Sequence, residues 1–363
     1  MERFFNTAGP MIPDEHYCID PLTRLDWDEI RRLINNKRYF VLHAPRQTGK
    51  TSTLLSIAKA LNNEGRYACA YANIEVAQTA KNEENGIRAV CDAISISFSI
   101  FLSRTDIQKW YINEGLSFSS NNQLFQLLRY WSESSVKPTI LILDEVDALV
   151  GDTLISLLRQ IRSGYVQRPG KFPHSIILCG VRDVRDYRIQ RSDGEIITGG
   201  SAFNIKTESM RMMNFSFDET KALWRQYTDD TGQEFENAVF QELWEDTYGQ
   251  PWLVNALGYE LTEKTIARND KKRKITISDY KIARERLIQS RATHLDQLAD
   301  KLQEPRVANV IKSILDVDQT EMRSRPADIE YVEDLGLIKT KPSLCISNRI
   351  YMEVIPRELT WST

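Results

Sequence analysis

An apolar run that ends in a glycine-lysine-threonine turn constrains the fold more than any other feature of this sequence. Residues 39–44 form the run, and an amphipathic helical pattern follows the turn. The turn consists of Ala44, Pro45, Arg46, Gln47, Thr48, Gly49, Lys50, Thr51 and Ser52. After a strand, such a turn wraps a phosphate with backbone N–H groups, and its lysine and hydroxyl side chains reach the phosphates and Mg²⁺. The segment predicts a phosphate-binding loop for a nucleoside triphosphate.

The turn departs from the pattern G-x-x-x-x-G-K-[ST] at its first position, where this chain has Ala44. Alanine is tolerated there if its φ is negative. Gly49 is expected to adopt the conformation that only glycine reaches at little cost. Taken alone, the turn also fits a surface strand, turn and helix that bind nothing.

A second motif begins about ninety residues after the first. Residues 138–143 are almost continuously apolar, which is typical of a strand buried on both faces, and the acids Asp144 and Glu145 follow at once. We interpret this as a Walker B strand. Asp144 would hold the Mg²⁺ shell through water or Thr51, and Glu145 would polarise the water that attacks the terminal phosphate. The alternative is a buried strand that ends in solvated carboxylates. The order of the two motifs counts against this alternative, and an acid directly after the Mg²⁺ aspartate favours a hydrolysing enzyme over a passive nucleotide binder.

Composition describes an ordinary soluble protein and excludes few functions. The length of 363 residues predicts two or three domains. The residues are 42% hydrophobic and 27% charged, which is typical of a soluble protein. The net charge of −3 gives no global basic field that would recruit nucleic acid. We see no apolar run of membrane-spanning length and no signal peptide, so we expect no membrane partner and a cytoplasmic protein.

Cysteine and histidine spacing argues against a metal site of their own. The cysteines are odd in number, contain no Cys-x-x-Cys pair, and are expected to be reduced core residues. They are Cys18, Cys69, Cys91, Cys179 and Cys345. The histidines show no ligand spacing, so zinc is not expected.

Strand and helix patterns alternate through the first 215 residues, which predicts a parallel sheet covered on both faces. The predicted strands are 39–44, 67–74, 139–144, 175–181 and one within 203–215. The predicted helices are 25–35, 50–62, 86–102, 122–132 and 152–162.

A helical pattern takes over after residue 215. Ser216 and Glu219 form a capping box that opens a helix through Thr231. Further helices are predicted at 236–247 and 251–267, a solvated loop at 268–274, and one helix from Ser278 to about Leu302. A helix at 307–315, the stretch 328–338 and short strands at 338–340 and 344–347 outline a winged helix. We therefore expect an α/β core at 1–215, whose N-terminal segment covers the nucleotide, a helical lid at 216–303 and a winged-helix domain at 304–363.

Arginines near the predicted sheet edge have two interpretations each. Arg182 follows the fourth strand and is expected to sense the terminal phosphate, or else to pair with Asp183 or Asp186. Three further arginines also have two interpretations. One of them is an arginine finger directed at a neighbouring subunit, or all three are ordinary exposed side chains. They are Arg159, Arg162 and Arg168.

The string Gly249-Gln-Pro251 resembles the Gly-x-Pro motif of signal-transduction ATPases, in which the proline touches the adenine or ribose. Pro251 at the first position of a helix also has a purely structural explanation.

Four strings together are similar to prokaryotic AAA-like P-loop ATPases, which are related to archaeal and STAND ATPases and to replication initiators. The strings are residues 5–10, 43–51, 249–253 and 346–358. The resemblance implies an AAA+/STAND-like parallel sheet, a helical lid, a C-terminal winged helix, and ATP with Mg²⁺ as ligands. Ala44 is an expected variant in this family. Members often continue into a nuclease-like domain of the PD-(D/E)XK type, and residues up to Thr363 contain no comparable acid constellation.

The function implied by this resemblance is an ATP-hydrolysing switch that regulates a protein effector in defence or signalling, or that works as a homo-oligomer. The alternative is a DNA-processing ATPase resembling origin-recognition or transposition regulators. Residues 305–357 carry eight Lys or Arg against eight Asp or Glu. Because phosphate contact needs a positive face, nucleic acid is not the favoured partner.

Overall fold

The computed structural model describes residues 2–183, 188–190, 196–198, 204–264, 270–290, 293–315 and 324–361. The chain divides into two compact units. We call Pro21–Ala44 with Lys50–Met212 the sheet unit. The helical unit comprises Met1–Asp20, Pro45–Gly49 and Met213–Thr363.

The sheet unit is built on five parallel strands in the order β2-β3-β4-β1-β7. These are β1 (Tyr39–His43), β2 (Ala68–Asn73), β3 (Thr139–Asp144), β4 (Ser175–Gly180) and β7 (Lys206–Arg211), and a separate hairpin joins β5 (Arg188–Gln190) to β6 (Ile196–Thr198). The predicted parallel sheet is confirmed, including a fifth strand within residues 203–215. β4 lies between the strands that carry the two predicted phosphate and metal motifs.

Side chains alternate across this sheet between two apolar clusters. On β3, Leu141 and Leu143 face one cluster while Ile140 and Ile142 face the other. The first cluster includes helices α3 (Glu83–Leu102), α5 (Ser120–Glu133) and α6 (Gly151–Gly164), and the second includes α1 (Trp27–Asn35) and α2 (Lys50–Asn63). The sheet is therefore covered on both faces, as its strands' continuous apolar sequences require.

Two helices of the sheet unit differ from the sequence-based expectation. α4 (Thr105–Asn113) was not predicted. By length and composition α3 would suffice to cross a membrane, so the expectation that no apolar run reaches that length is wrong. One side of α3 packs against β2, α5 and α6, which is the behaviour of a core helix.

The helical unit begins its long helical run with the predicted capping box. The Ser216 side chain accepts from the Glu219 N–H, and the Glu219 carboxylate accepts from the Ser216 N–H. The helices are α7 (Phe217–Thr231), α8 (Asn237–Thr247), α9 (Pro251–Glu263), α10 (Ile277–Gln289), α11 (Thr293–Leu302), α12 (Pro305–Leu315), α13 (Pro326–Asp334) and α14 (Arg349–Trp361). One continuous apolar core joins them.

The single helix predicted from Ser278 to Leu302 is wrong. Thr276 is the N-cap, in a capping box with Asp279, and α10 ends at Gln289. α11 then begins at Thr293. Both Thr276 and Ser278 are good capping residues, and only the reciprocal bond to Asp279 decides between them.

The end of the chain has the order of elements expected of a winged helix. α12 and α13 precede an antiparallel hairpin of β8 (Ile338–Lys339) and β9 (Cys345–Ile346), and α14 follows. The identification as a winged helix stays a prediction.

Candidate nucleotide site

The phosphate-loop sequence connects β1 to α2 at the carboxyl edge of the sheet. Gly49 has φ +85°, the left-handed conformation predicted for it. Gln47 also has positive φ, +57°, whereas Ala44 is not among the described residues with positive φ. Alanine is therefore compatible with the backbone at the position where the pattern asks for glycine. The Thr48 hydroxyl closes the turn by donating to the Pro45 carbonyl oxygen at 2.7 Å.

Lys50 and Thr51 open α2 with their side chains placed for anion and metal chemistry. Lys50 is only 6% exposed, and its ammonium donates to the Ala44 carbonyl oxygen at 3.1 Å. The Thr51 hydroxyl donates to Asp144 Oδ2 at 2.8 Å. Residues about ninety positions apart in the sequence thus form the pair that the two motifs predict. Ser52 follows in the first turn of the same helix and is buried.

Asp144 is the last residue of β3 and is completely buried. Its Oδ1 accepts from the Glu145 N–H at 3.0 Å, and its Oδ2 accepts a second hydroxyl, that of Tyr71, at 2.9 Å. Burial, then the Asp144 charge, raises the pKa of Tyr71, so this hydroxyl stays a proton donor. Sequence reasoning missed Tyr71, although it lies in the predicted strand 67–74.

Glu145 follows Asp144 in the left-handed conformation, with φ +59°. A non-glycine residue in this region costs about 1 kcal/mol or more and is found where the surrounding structure imposes it. Burial raises the pKa of Glu145, the Lys50 charge opposes this, and Asp147, Asp144 and Glu75 raise it further. The carboxylate is therefore a better proton acceptor than an ordinary glutamate. Glu75, just after β2, is a second acid that sequence reasoning did not single out.

The donor set at this edge suits a magnesium ion that is shared with phosphate. Thr51 and Asp144 offer hard oxygen atoms, and Mg²⁺ in proteins is held by one or two carboxylates together with substrate phosphates. Within the described part of the chain, no group of three His, Cys, Asp or Glu side chains is arranged to hold a metal ion by itself. The residues fit a cation that arrives with its nucleotide.

Arg182 follows β4, the strand between β1 and β3. The neighbouring Val181 N–H donates to Asp147 Oδ1 at 3.1 Å, which ties the end of β4 to the turn after Asp144. Arg182 therefore belongs to the same sheet edge as the two acids. Of its alternative partners, Asp183 is buried, and Asp186 lies outside the described residues.

The three finger candidates differ in how firmly they are held. The Arg168 guanidinium lies 3.3 Å from the centre of the Tyr165 ring and donates to the Tyr165 and Lys37 carbonyl oxygens. These contacts give Arg168 a structural role within the sheet unit. Arg159 and Arg162 are exposed on α6, and Arg159 lines a pocket of about 360 Å³.

Pro251 is the buried first residue of α9. The preceding Gln250 accepts from the Leu253 N–H at 2.6 Å and, within the helical unit, donates to the Gln47 carbonyl oxygen at 3.4 Å. A Cβ at Gly249 would lie 1.9 Å from the Phe215 oxygen, so glycine is required there. Packing alone therefore explains the glycine and the helix start, while the Gln250 bond reaches the phosphate-loop sequence itself.

Comparison with known proteins concerns the fold and the family of the chain. A Walker-type ATPase of Pyrococcus abyssi has the same fold, with a TM-score of 0.64 and 14% identity over 97% of this chain and 99% of that chain. Drosophila ORC bound to DNA reaches a TM-score of only 0.49, with 11% identity over 94% of this chain and 87% of that chain, a likeness too remote to support an argument. No curated protein matches the sequence.

The fold is thus that of a P-loop ATPase. The sequence profile of the AAA-like domain matches residues 28–353, which is most of the chain. This protein belongs to the AAA-like domain family.

Proposed function

We propose that this chain binds ATP with Mg²⁺ at the carboxyl edge of its sheet and hydrolyses it. The observation that carries the proposal is the 2.8 Å bond between the Thr51 hydroxyl and Asp144, beside the buried Lys50 and the αL residue Glu145. Lysine, hydroxyl and two successive acids with these contacts are the parts that phosphoryl transfer to water requires.

Each side chain has a distinct task in this mechanism. Backbone N–H groups of residues 44–52 and the Lys50 ammonium bind the phosphates. Thr51 and Asp144 hold Mg²⁺, which neutralises charge on the phosphate oxygens when bound. Glu145 orients the attacking water and takes its proton on a carboxylate oxygen, a task that its raised pKa favours. Arg182 senses the terminal phosphate, and Pro251 touches the adenine or ribose.

We further propose that the output is a change in a protein partner or in assembly with further copies. In this proposal residues 1–215 form the ATPase core, 216–303 the lid and 304–363 a winged helix. α13, the helix that would read DNA in a winged helix, contains four acids and no lysine or arginine. This composition supports a protein-facing role over the alternative of a DNA-processing ATPase.

A pair of lysine variants tests nucleotide binding. Lys50→Ala should weaken Mg-ATP binding by at least about 100-fold, equivalent to roughly 2.7 kcal/mol, because the ammonium is placed to contact the phosphates. Lys59→Ala removes the same charge from an exposed position of the same helix and should bind like the parent. Isothermal titration calorimetry measures both. Parental affinity in a folded Lys50→Ala protein would overturn the proposal.

A further inference from the structure

Asp144 receives a hydrogen bond from a residue outside both nucleotide motifs. Tyr71 lies on β2, and its hydroxyl donates to Oδ2, the same oxygen that accepts from Thr51. We propose that Tyr71 is a positioning residue of the magnesium site, which fixes the Asp144 carboxylate so that the Thr51 hydroxyl keeps donating to it. This inference rests on the proposed function.

The chemistry of a threonine ligand explains why the carboxylate must be fixed. A hydroxyl that offers its oxygen to a cation has to direct its proton to another acceptor, and Oδ2 of Asp144 is that acceptor here. If the carboxylate turned, the Thr51 proton would lose its partner. Partners behind a metal ligand commonly control its orientation in this way.

Tyr71 is better suited to fix the carboxylate than the other two donors. Thr51 and the Glu145 N–H belong to the segments that meet the nucleotide, whereas Tyr71 pairs with Ile142 within the sheet. Its ring packs edge-on against Phe101 of α3, with 5.8 Å between centroids, and the residue is 8% exposed. The donor is therefore held by sheet and helix packing that is independent of the ligand.

A simpler interpretation is that Tyr71 fills the core and its hydroxyl bonds the nearest acceptor. A second tyrosine separates the two interpretations. Tyr67 lies four residues earlier, is 7% exposed, and donates to the Asn35 side-chain oxygen at 2.7 Å. Tyr67→Phe and Tyr71→Phe remove the same atom from similar environments. Of these two hydroxyls, the one of Tyr71 donates to Asp144 and the one of Tyr67 donates to Asn35.

The test measures the magnesium dependence of ADP binding, so that hydrolysis plays no part. ADP is titrated by calorimetry at a series of Mg²⁺ concentrations into the parent, Tyr71→Phe and Tyr67→Phe. Tyr71→Phe should raise the Mg²⁺ concentration for half-maximal enhancement of binding by about 10-fold, the lower end for loss of a partner behind a ligand. Tyr67→Phe should leave it unchanged. Mn²⁺ binding in the presence of ADP, followed by electron paramagnetic resonance, should weaken in parallel.

Equal magnesium midpoints for the two phenylalanine variants would overturn the positioning role, even if both lose stability. If Tyr71→Phe fails to fold, Phe101→Leu removes the edge contact but keeps the hydroxyl, and it should shift the midpoint in the same direction by less. No shift in Phe101→Leu then overturns the inference. Lys50→Ala separates the two proposals. Loss of ADP binding in Lys50→Ala with an unshifted Tyr71→Phe defeats only the positioning role, whereas unchanged binding in Lys50→Ala defeats both.

Discussion

Each unit of this protein contains a buried aspartate that accepts a hydrogen bond from a tyrosine hydroxyl. The other partners of these two aspartates differ. Asp144 of the sheet unit accepts from two hydroxyls and a backbone N–H. Asp246 of the helical unit, 1% exposed, accepts from the Tyr280 hydroxyl and from Arg284 Nε, both at 2.9 Å. A guanidinium of the chain itself therefore neutralises Asp246.

Arg284, a cation fixed within the chain, makes Asp246 a structural carboxylate. Asp144 has no such partner among the bonds described above and is suited to bind a ligand. Arg284 continues to Glu353 at 2.8 Å, so the charges around Asp246 form a closed network between helices. Burial raises the pKa of Asp246 and the Arg284 charge opposes this. Hydroxyl and N–H donors occupy three of the roughly four lone-pair sites of Asp144 and leave its charge for a divalent ion to balance. The following predictions test this difference.

The largest effect is expected on turnover. Glu145→Gln should slow ATP hydrolysis by roughly 10²-fold or more, the scale of one general base, and leave ATP bound. Glu353→Gln makes the same chemical change in the closed network and should leave turnover unchanged. Phosphate release under saturating ATP measures both. Parental turnover in Glu145→Gln would transfer the role to another acid, and Glu75→Gln would test one whose charge acts on Glu145.

The next effect is on stability. Asp246→Ala leaves Arg284 without its buried partner, so it should lower the free energy of unfolding by about 3–5 kcal/mol. Asp144→Ala leaves only two hydroxyls and an N–H without their acceptor, so it should lower the free energy of unfolding by less than about 2 kcal/mol. The same variant should abolish the magnesium dependence of nucleotide binding. Urea unfolding at pH 7 gives the two values. A larger loss for Asp144→Ala would reverse the comparison.

The sequence predicted the parts of the site that are local. Residues 39–52 and 138–145 each contain their own strand, turn and chemistry, and Lys50, Thr51, Asp144 and Glu145 lie together as expected. Tyr71 could not be found in this way, because its contact depends on β2 lying beside β3, a neighbour relation that strand patterns do not encode.

The misplaced helix between Ser278 and Leu302 has a related cause. A helical period continues across residues 290–293, and it does not reveal where one helix ends and the next begins. A different cause applies to α14, which was not predicted from the sequence: it contains Pro356, and proline usually breaks or kinks a helix. Tertiary packing of the helical core determines these boundaries.

A smaller effect is expected in the pH dependence of stability. The folded-state pKa of Glu145 is raised above its ordinary value of 4.5, so its ionised form opposes folding at higher pH. Glu145→Gln removes this penalty and should melt at a higher temperature than the parent at pH 7. The difference should shrink as pH falls through the raised pKa towards 4.5. Melting curves at pH 7 and pH 5 check this, and a difference that grows on acidification would contradict the assignment.

The smallest effect is expected on DNA retention, because several cations of the C-terminal elements are engaged within the chain. Lys339 lies 3.1 Å from the centre of the Tyr248 ring, and burial lowers its pKa. Arg306 packs over Tyr331, and Arg349 pairs with Glu242 and Glu245. These contacts resemble the closed network around Asp246.

Lys341, between β8 and β9, is exposed at the place where a DNA-binding wing would touch phosphate. If residues 304–363 face protein, Lys341→Ala should change retention on duplex DNA by less than about twofold. The same is expected of Lys81→Ala, at an exposed lysine of the sheet unit. A phosphate contact instead predicts that the slope of log affinity against log salt falls by about 1 for Lys341→Ala alone. A titration between about 50 and 200 mM salt distinguishes the two, because the contact's contribution is largest at low salt.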